Sequence, residues 1–386
     1  MWKRKGKLSF FSALLLALTL VLGACGGSGG GSTSGGALEA AGTGGSTAGT
    51  TASNDDLPTI NWRMASTWGS GNVHFSVDKR FGEILSELTG GKFTVTNYSE
   101  GELCSASQLF DYVSDGTVQA GGDWGGYWAG KDTAFELLST VMDEFTGLDY
   151  YIWIYEAGGL QCYKDQYGQY NMNYFPLVTN PSESGIRSVR PITSIADMQT
   201  MKIRLGGVMA GKAAQKLGIN ITSIPAAELY EALQRTTIDG GEFSGPKADD
   251  SLHLQEVAPY WCAPAWYQSA GVNGVMVNMD AWNALPEAYQ EAFEMAARLC
   301  CGEQLARYYY NDMVVTNQMI DEQGITVTHL NDADWQTIRE TCKQTYEEEC
   351  EINPNFKVIY DSMMAYRADS NNYREWTADY SFGFIK

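Results

Sequence analysis

The chain has 386 residues, with 26 Lys and Arg against 46 Asp and Glu, a formal net charge of −20 and only 3 His. That balance excludes a protein held by its own surface charge to nucleic acid or to anionic lipid. With 44% hydrophobic residues, 11 Trp and 22 Tyr, the chain has enough apolar surface for a large core, and its length predicts two domains or two lobes.

Residues 1–24 carry four basic side chains, Lys3, Arg4, Lys5 and Lys7, and no acid. The apolar run 10–22 is shorter than the roughly 20 residues that span a bilayer, so the segment reads as an export signal that is cut away. Without those four basic residues, 22 basic side chains face 46 acidic ones, a net −24. Leu22-Gly23-Ala24-Cys25 resembles a bacterial lipobox, which predicts lipidation at Cys25; the alternative is an ordinary signal followed by a chance Cys. Residues 26–54 are almost wholly Gly, Ser, Thr and Ala and read as a coil of span ~30 Å that tethers the folded part to a membrane surface. Seven further cysteines, without a C-x-x-C pair or a His at zinc spacing, leave both disulfides and buried free thiols open.

From residue 57 onward short β-like runs alternate with amphipathic helical stretches, the pattern of an α/β fold. A strand at 59–65 is followed by a helix at 73–88 with Val77, Phe81, Ile84, Leu85 and Leu88 on one face. Then come a strand at 92–98, a helix at 106–113, a strand at 117–120 and a glycine- and aromatic-rich segment at 121–131. A second unit follows, with strands at 186–190, 201–205, 219–224 and 238–243 and helices at 208–217 and 226–235. Pro225 suits a helix's first turn, with Ser223 as the cap before it. A strand at 274–278 returns to the first unit. Residues 286–323 hold a single Gly, Gly302, and no Pro after the first position, which predicts a helix crossing both lobes, either continuous or broken at Gly302. The predicted divisions are 1–24 signal, 25–56 tether, 57–180 first lobe with 272–298 returning to it, 181–271 second lobe, 286–323 spanning helix and 324–386 a C-terminal helical segment.

Catalytic motifs are missing: there is no G-x-S-x-G, H-E-x-x-H, Walker loop or dinucleotide fingerprint, and the three His lie far apart. A surface enzyme is disfavoured, although two carboxylates of a glycosidase are always available among 46 acids. Arg204 ends the strand at 201–205 and precedes Gly206-Gly207, where open α/β sheets place ligands, and its planar fork suits a carboxylate. Read alone, a surface ion pair is the commoner fate of such an Arg.

Pro225-Ala-Ala-Glu-Leu-Tyr-Glu-Ala-Leu-Gln-Arg-Thr-Thr-Ile-Asp-Gly-Gly-Glu242 closely resembles the run P-x-x-E-x-Y-x-A-L-Q-R-G-x-I-D-G-x-E. That run belongs to the solute receptors of tripartite ATP-independent periplasmic (TRAP) transporters, of the dicarboxylate/2-oxo-acid type. Family-like pieces occur in the same order at 110–117, 127–131, 173–176, 201–204, 245–250 and 278–286, so the resemblance covers about 62–307. It implies a two-lobed, periplasmic-binding-protein-like α/β fold with the ligand cleft between the lobes. It implies a receptor that closes on a small organic acid, a 2-oxo or 2-hydroxy acid or else a C4-dicarboxylate, and delivers it to the membrane subunits of an ion-driven permease. A sensor lipoprotein that binds without delivering is the other reading, and the oligomeric state stays open.

The resemblance also implies site residues. Arg204 matches the arginine that pairs with the substrate carboxylate, and Tyr127 a substrate-contacting tyrosine. In one branch a cation bridges substrate and protein through a Gln, a Glu with the carbonyl after it, and a second Glu; here Glu183, Glu242 with Phe243, and Gln268 fall at those positions, the outer two exchanged. Two carboxylates and an amide oxygen suit a hard cation, Na+ or Ca2+, while Glu183 read alone is a loop acid in a turn. Trp68, Tyr127 and Trp128 from the first lobe, with Phe243, Trp266 and Tyr267 from the second, are candidate walls. Arg187 stands in a stretch that departs from the family pattern and is expected to admit a second carboxylate.

Overall fold

The protein is described by a computed structural model over residues 56–142, 145–222 and 224–377. The signal, the tether, Cys25 and Ser223 lie outside the described residues. The strands are β1 (Ile60–Ser66), β2 (Phe93–Tyr98), β3 (Ala120–Trp124), β4 (Thr140–Val141), β5 (Met172–Asn180), β6 (Ile186–Ser188), β7 (Lys202–Arg204), β8 (Asn220–Thr222), β9 (Gly240–Gly241), β10 (Tyr260–Cys262), β11 (Ala270–Asn278) and β12 (Thr326–Thr328). The helices are α1 (Val73–Leu88), α2 (Leu109–Ser114), α3 (Ala134–Leu137), α4 (Gly147–Glu156), α5 (Gly159–Gly168), α6 (Ile195–Gln199), α7 (Val208–Lys216), α8 (Leu229–Gln234), α9 (Pro246–Ser251), α10 (Met279–Asn283), α11 (Glu287–Asp321), α12 (Asp332–Ile352) and α13 (Pro354–Thr377).

Two mixed sheets form, one per lobe. The first runs β2-β1-β3-β11-β4, with β5 also paired to β11; the second runs β12-β10-β6-β9-β7-β8. Parallel pairing of β1 with β2, Trp62 opposite Val95, follows from the intervening α1, since a parallel return needs a crossover. Pro176 is tolerated in β5 because it sits where the register with β11 shifts between Asn273 and Gly274. The chain passes from the first sheet to the second after β5 and returns after β10.

The expected strand at 117–120 lies further on, at Ala120–Trp124, and its glycines are the reason. A Cβ on Gly121 would stand 2.8 Å from Val113 Cγ2, and one on Gly122 2.2 Å from the Asp78 carboxylate. Gly-Gly here permits close packing of α1 and α2 on the strand. Two predicted helices are each divided into a short 3₁₀ turn and an α-helix, Ala106–Gln108 before α2 and Ala226–Glu228 before α8. Pro225 stands just before the second of these turns rather than within it.

Helix α11 continues through Gly302, and at 1.5 Å per residue it is ~52 Å long. One stripe from Tyr289, Phe293 and Ala297 to Val315 and Met319 is buried along its length. Its first half packs on α1 and β5 in a cluster of Trp62, Phe81, Phe93, Phe175, Trp282 and Phe293. Its second half reaches Trp261 of β10, so a single rigid element touches both sheets. All seven cysteines among the described residues are free thiols, five of them buried. No helix among those residues is long and apolar enough to cross a membrane.

Candidate functional site

Four stretches meet where the sheets face each other: the end of β7, the segment after β9, and the crossings at 181–185 and 263–269. Backbone bonds fasten them, Glu183 N to the Gln268 carbonyl at 3.2 Å and Ser184 N to the Ser244 carbonyl at 2.9 Å. The sequence-distant Glu183, Glu242, Phe243 and Gln268 are therefore brought together.

Arg204 closes β7 with its side chain 14% exposed. Nη1 donates to the Glu242 carbonyl and to Glu242 Oε1, both at 2.5 Å, and Nε donates to the Ile224 carbonyl at 3.3 Å. Nη2 has no hydrogen-bond partner among the described residues, so that side of the guanidinium is unpaired. Burial opposes its charge, yet Glu242 and Glu183 outweigh burial and hold its pKa above the ordinary value. Glu242 is 1% exposed; its Oε1 also accepts from Gly206 N at 2.5 Å, while Oε2 is buried without a partner. Glu183 has a buried, partnerless Oε2 as well. Its pKa is driven well upward, first by burial, then by the charge of Glu242, with Asp249 adding to it.

The remaining predicted residues divide. Tyr127 is half exposed, edge-on to Trp124 at 5.2 Å and tilted on Trp68 at 5.8 Å. Partial desolvation between the lobes raises its phenol pKa, the charge of Arg204 opposing that rise and the charge of Glu242 adding to it. Gln268 is buried and its side-chain amide bonds no other described residue. Trp266 is buried with an unpartnered Nε1, edge-on to Tyr267, whose hydroxyl is also unpartnered. The Phe243 ring packs against the Leu229, Leu233 and Ile238 cluster, which leaves its main chain as the part available to a ligand.

Two expectations are corrected. Arg187 is fully buried: Nε donates to Asp249 at 3.1 Å, Nη2 meets Met319 Sδ, and the guanidinium lies 4.0 Å from the Trp261 ring. Its charge is engaged by an internal carboxylate, so it is not a wall residue open to a second ligand carboxylate; Nη1 alone has no partner. Trp128 turns into the first lobe, donating to Asp123 and packing on Phe110 at 5.0 Å, whereas Trp124 donates to the Ser139 carbonyl and stands edge-on to Tyr127. The aromatic segment at 121–131 flagged this wall without telling which indole faces it.

One neighbouring residue carried no sequence signal. Glu136, on α3, accepts from the first two N–H groups of α7, Val208 at 3.1 Å and Met209 at 3.2 Å. Burial pushes its pKa up to about 7 against those two bonds.

The charge count indicates what the site can take. Arg204 faces two carboxylates, Glu183 and Glu242, each with a buried oxygen that lacks a donor. Buried charge is costly unless paired, and an incoming carboxylate would add a further negative charge. The donor set of carboxylate and amide oxygens fits a hard cation. No cluster of three or more His, Cys, Asp or Glu forms among the described residues, so such a cation would need main-chain, amide or ligand oxygens to complete its shell.

The family profile described as bacterial extracellular solute-binding protein, family 7, matches residues 64–351. Among curated relatives, a monocarboxylate 2-oxoacid-binding periplasmic protein of a Nostoc strain is 29% identical over 312 residues, covering 81% of this chain and 85% of its own. A TRAP transporter solute-binding protein from Bordetella bronchiseptica, a dimer with copurified calcium and picolinate in one active site, is 30% identical. It covers 82% of this chain and 94% of its own, with a TM-score of 0.77. A periplasmic counterpart from Pseudoalteromonas atlantica with bound sodium and pyruvate is 27% identical, covers 82% and 97%, and has the same TM-score of 0.77.

Proposed function

Because the chain belongs to the family 7 bacterial extracellular solute-binding proteins, a receptor family, we propose that it captures a small 2-oxo or 2-hydroxy monocarboxylate outside the cytoplasm and hands it to an ion-driven TRAP permease. The observation that carries this reading is the open edge of Arg204, anchored on the Glu242 carbonyl and carboxylate and facing Tyr127 across the cleft. The ligand's carboxylate lies against that edge as a charge-assisted pair, and Trp68, Trp124 and Tyr127 cover its body.

A cation, sodium or calcium, is held by Glu183, Glu242, the Phe243 carbonyl and Gln268. When bound it supplies the positive charge that lets two glutamates and an anionic ligand share one desolvated site. The relatives that carry pyruvate with sodium and picolinate with calcium support this ligand class. Burial of Arg187 against Asp249 speaks against a dicarboxylate, because no second guanidinium faces the cleft from that position. Binding shifts the protein toward closed lobes, the form offered to the permease. We also assign Cys25 as the lipid-bearing N-terminus of the exported protein, so that a net charge of −24 is held near the membrane by lipid alone.

A thermal-shift screen of organic acids on the purified protein tests the reading. A ligand at 100 times its dissociation constant adds ~2.7 kcal/mol. Pyruvate or a close 2-oxo or 2-hydroxy acid is expected to raise the melting temperature; a screen in which no carboxylate does so refutes it.

A further inference from the structure

Arg204 ends β7 and α7 begins four residues later. The residue before α7, Gly207, has a φ of +91° and no side chain with which to cap the helix. A helix's first N–H groups need acceptors, and here they are supplied from the other lobe. Both carboxylate oxygens of Glu136, on α3 beside β4 of the first sheet, are used, Oε2 by Val208 and Oε1 by Met209. Glu136 is 2% exposed. A Cβ on Gly207 would come within 2.6 Å of Oε1, so the carboxylate can approach only because residue 207 is glycine. On the near side of the same short segment, Gly206 N donates to Glu242. Residues 205–208 are thus held between two buried carboxylates, one from each lobe.

We propose that Glu136 is a positioning residue for the anion clamp: by capping α7 across the lobe boundary it keeps the Arg204–Met209 segment in place against the first lobe's aromatic wall. This rests on the reading of Arg204 as the carboxylate anchor. Loss of Glu136 leaves the guanidinium its bonds to Glu242 and Ile224 but releases the segment from the lobe that supplies Tyr127. Lys212 on α7 and Glu349 on α12 also face Glu136. Lys212 bonds Glu349, which in turn accepts from Thr133, so the capped end of α7 belongs to a wider tie between the lobes.

The test uses Glu136→Ala, Glu136→Gln, Gly207→Ala and the Ala/Ala double variant in the full chain. Pyruvate in the presence of calcium is titrated by calorimetry, and exchange of the Val208 and Met209 amides is followed without ligand. Glu136→Ala is expected to speed that exchange at least tenfold and to weaken pyruvate binding at least tenfold. Glu136→Gln, which keeps one of the two acceptor oxygens, recovers part of the affinity, and the double variant binds no worse than the weaker single one. Affinity of Glu136→Ala within twofold of the parent overturns the proposal, as does Glu136→Gln binding as weakly as Glu136→Ala. If Glu136→Ala does not fold, Gly207→Ala probes the same contact from its other side, and parent-like affinity there overturns the role equally. A parent protein that binds no carboxylate overturns the functional reading and this role with it, whereas a parent that binds beside an equally competent Glu136→Ala overturns this role alone.

Discussion

Replacing Arg204 with alanine removes the one guanidinium that faces the cleft from the end of β7, together with its bonds to the Glu242 carbonyl, Glu242 Oε1 and the Ile224 carbonyl. A hydrogen bond to a charged group is worth about 1.5–3 kcal/mol, and Nη2, the one guanidinium nitrogen without a partner, gives the ligand carboxylate such a bond. That converts to a loss of roughly 10- to 100-fold in affinity, since about 1.4 kcal/mol is tenfold. The same change leaves Glu242 and Glu183 buried without their counter-charge, which costs on the order of 3–5 kcal/mol of folding stability when no cation is present. Calorimetric titration of pyruvate, with and without calcium, reads the first effect, and a melting curve reads the second. Arg204→Lys keeps the charge but not the fork, and its affinity is expected to fall between parent and alanine. An alanine variant that binds within threefold of the parent would refute the clamp, whatever its stability.

Three further outcomes are expected. Prolonged chelation followed by removal of sodium lowers pyruvate affinity at least tenfold, and restoring either ion recovers it; unchanged affinity after both treatments leaves Glu183 as a loop acid. Arg187→Gln strips Asp249 of its buried partner and costs on the order of 3–5 kcal/mol, seen as a lower melting temperature; a folded fraction that loses more than threefold in pyruvate affinity would return Arg187 to the ligand site. Asp78 is buried beside Ser66, and burial lifts its pKa from 3.8 to about 8. The unfolded chain therefore releases this proton first as pH rises, so the group's stabilisation is full below about 4, declines by ~1.4 kcal/mol per pH unit across the interval, and is lost above about 8. Melting temperatures from pH 5 to 8 should fall less steeply for Asp78→Asn than for the parent, and parallel slopes would contradict the assignment.

Much of the fold was legible because local pattern and tertiary structure agree. Helix α1 buries its apolar stripe from Val77 to Leu85, with Leu88 exposed at its end, and α11 shows no break because the stripe from Tyr289 to Met319 continues past Gly302. Legibility failed where contact rather than pattern decides. Gly121 and Gly122 fall just past the predicted strand, in the glycine- and aromatic-rich segment, but they are strand residues pressed against Val113 and Asp78. Arg204 and Glu242, which the structure joins, stand out in the sequence because each lies near the end of a strand-like run inside a recognisable motif. Arg187 was misplaced because its partner Asp249 lies 62 residues away and the Trp261 ring beneath it is equally remote. Glu136 could not be found at all, since its two bonds span 72 and 73 residues and lie outside any motif.

The negative charge of the chain makes one requirement of the account plain: long-range steering opposes anion capture, so affinity must come from Arg204 and a neutralising cation at short range. A crystal structure of the protein grown with pyruvate and calcium tests this most directly. The account predicts the pyruvate carboxylate within about 3 Å of the open edge of Arg204, with the cation touching both the ligand and the oxygens of Glu183 and Glu242. Pyruvate seated away from Arg204, or seated there with no cation beside the two glutamates, would contradict it.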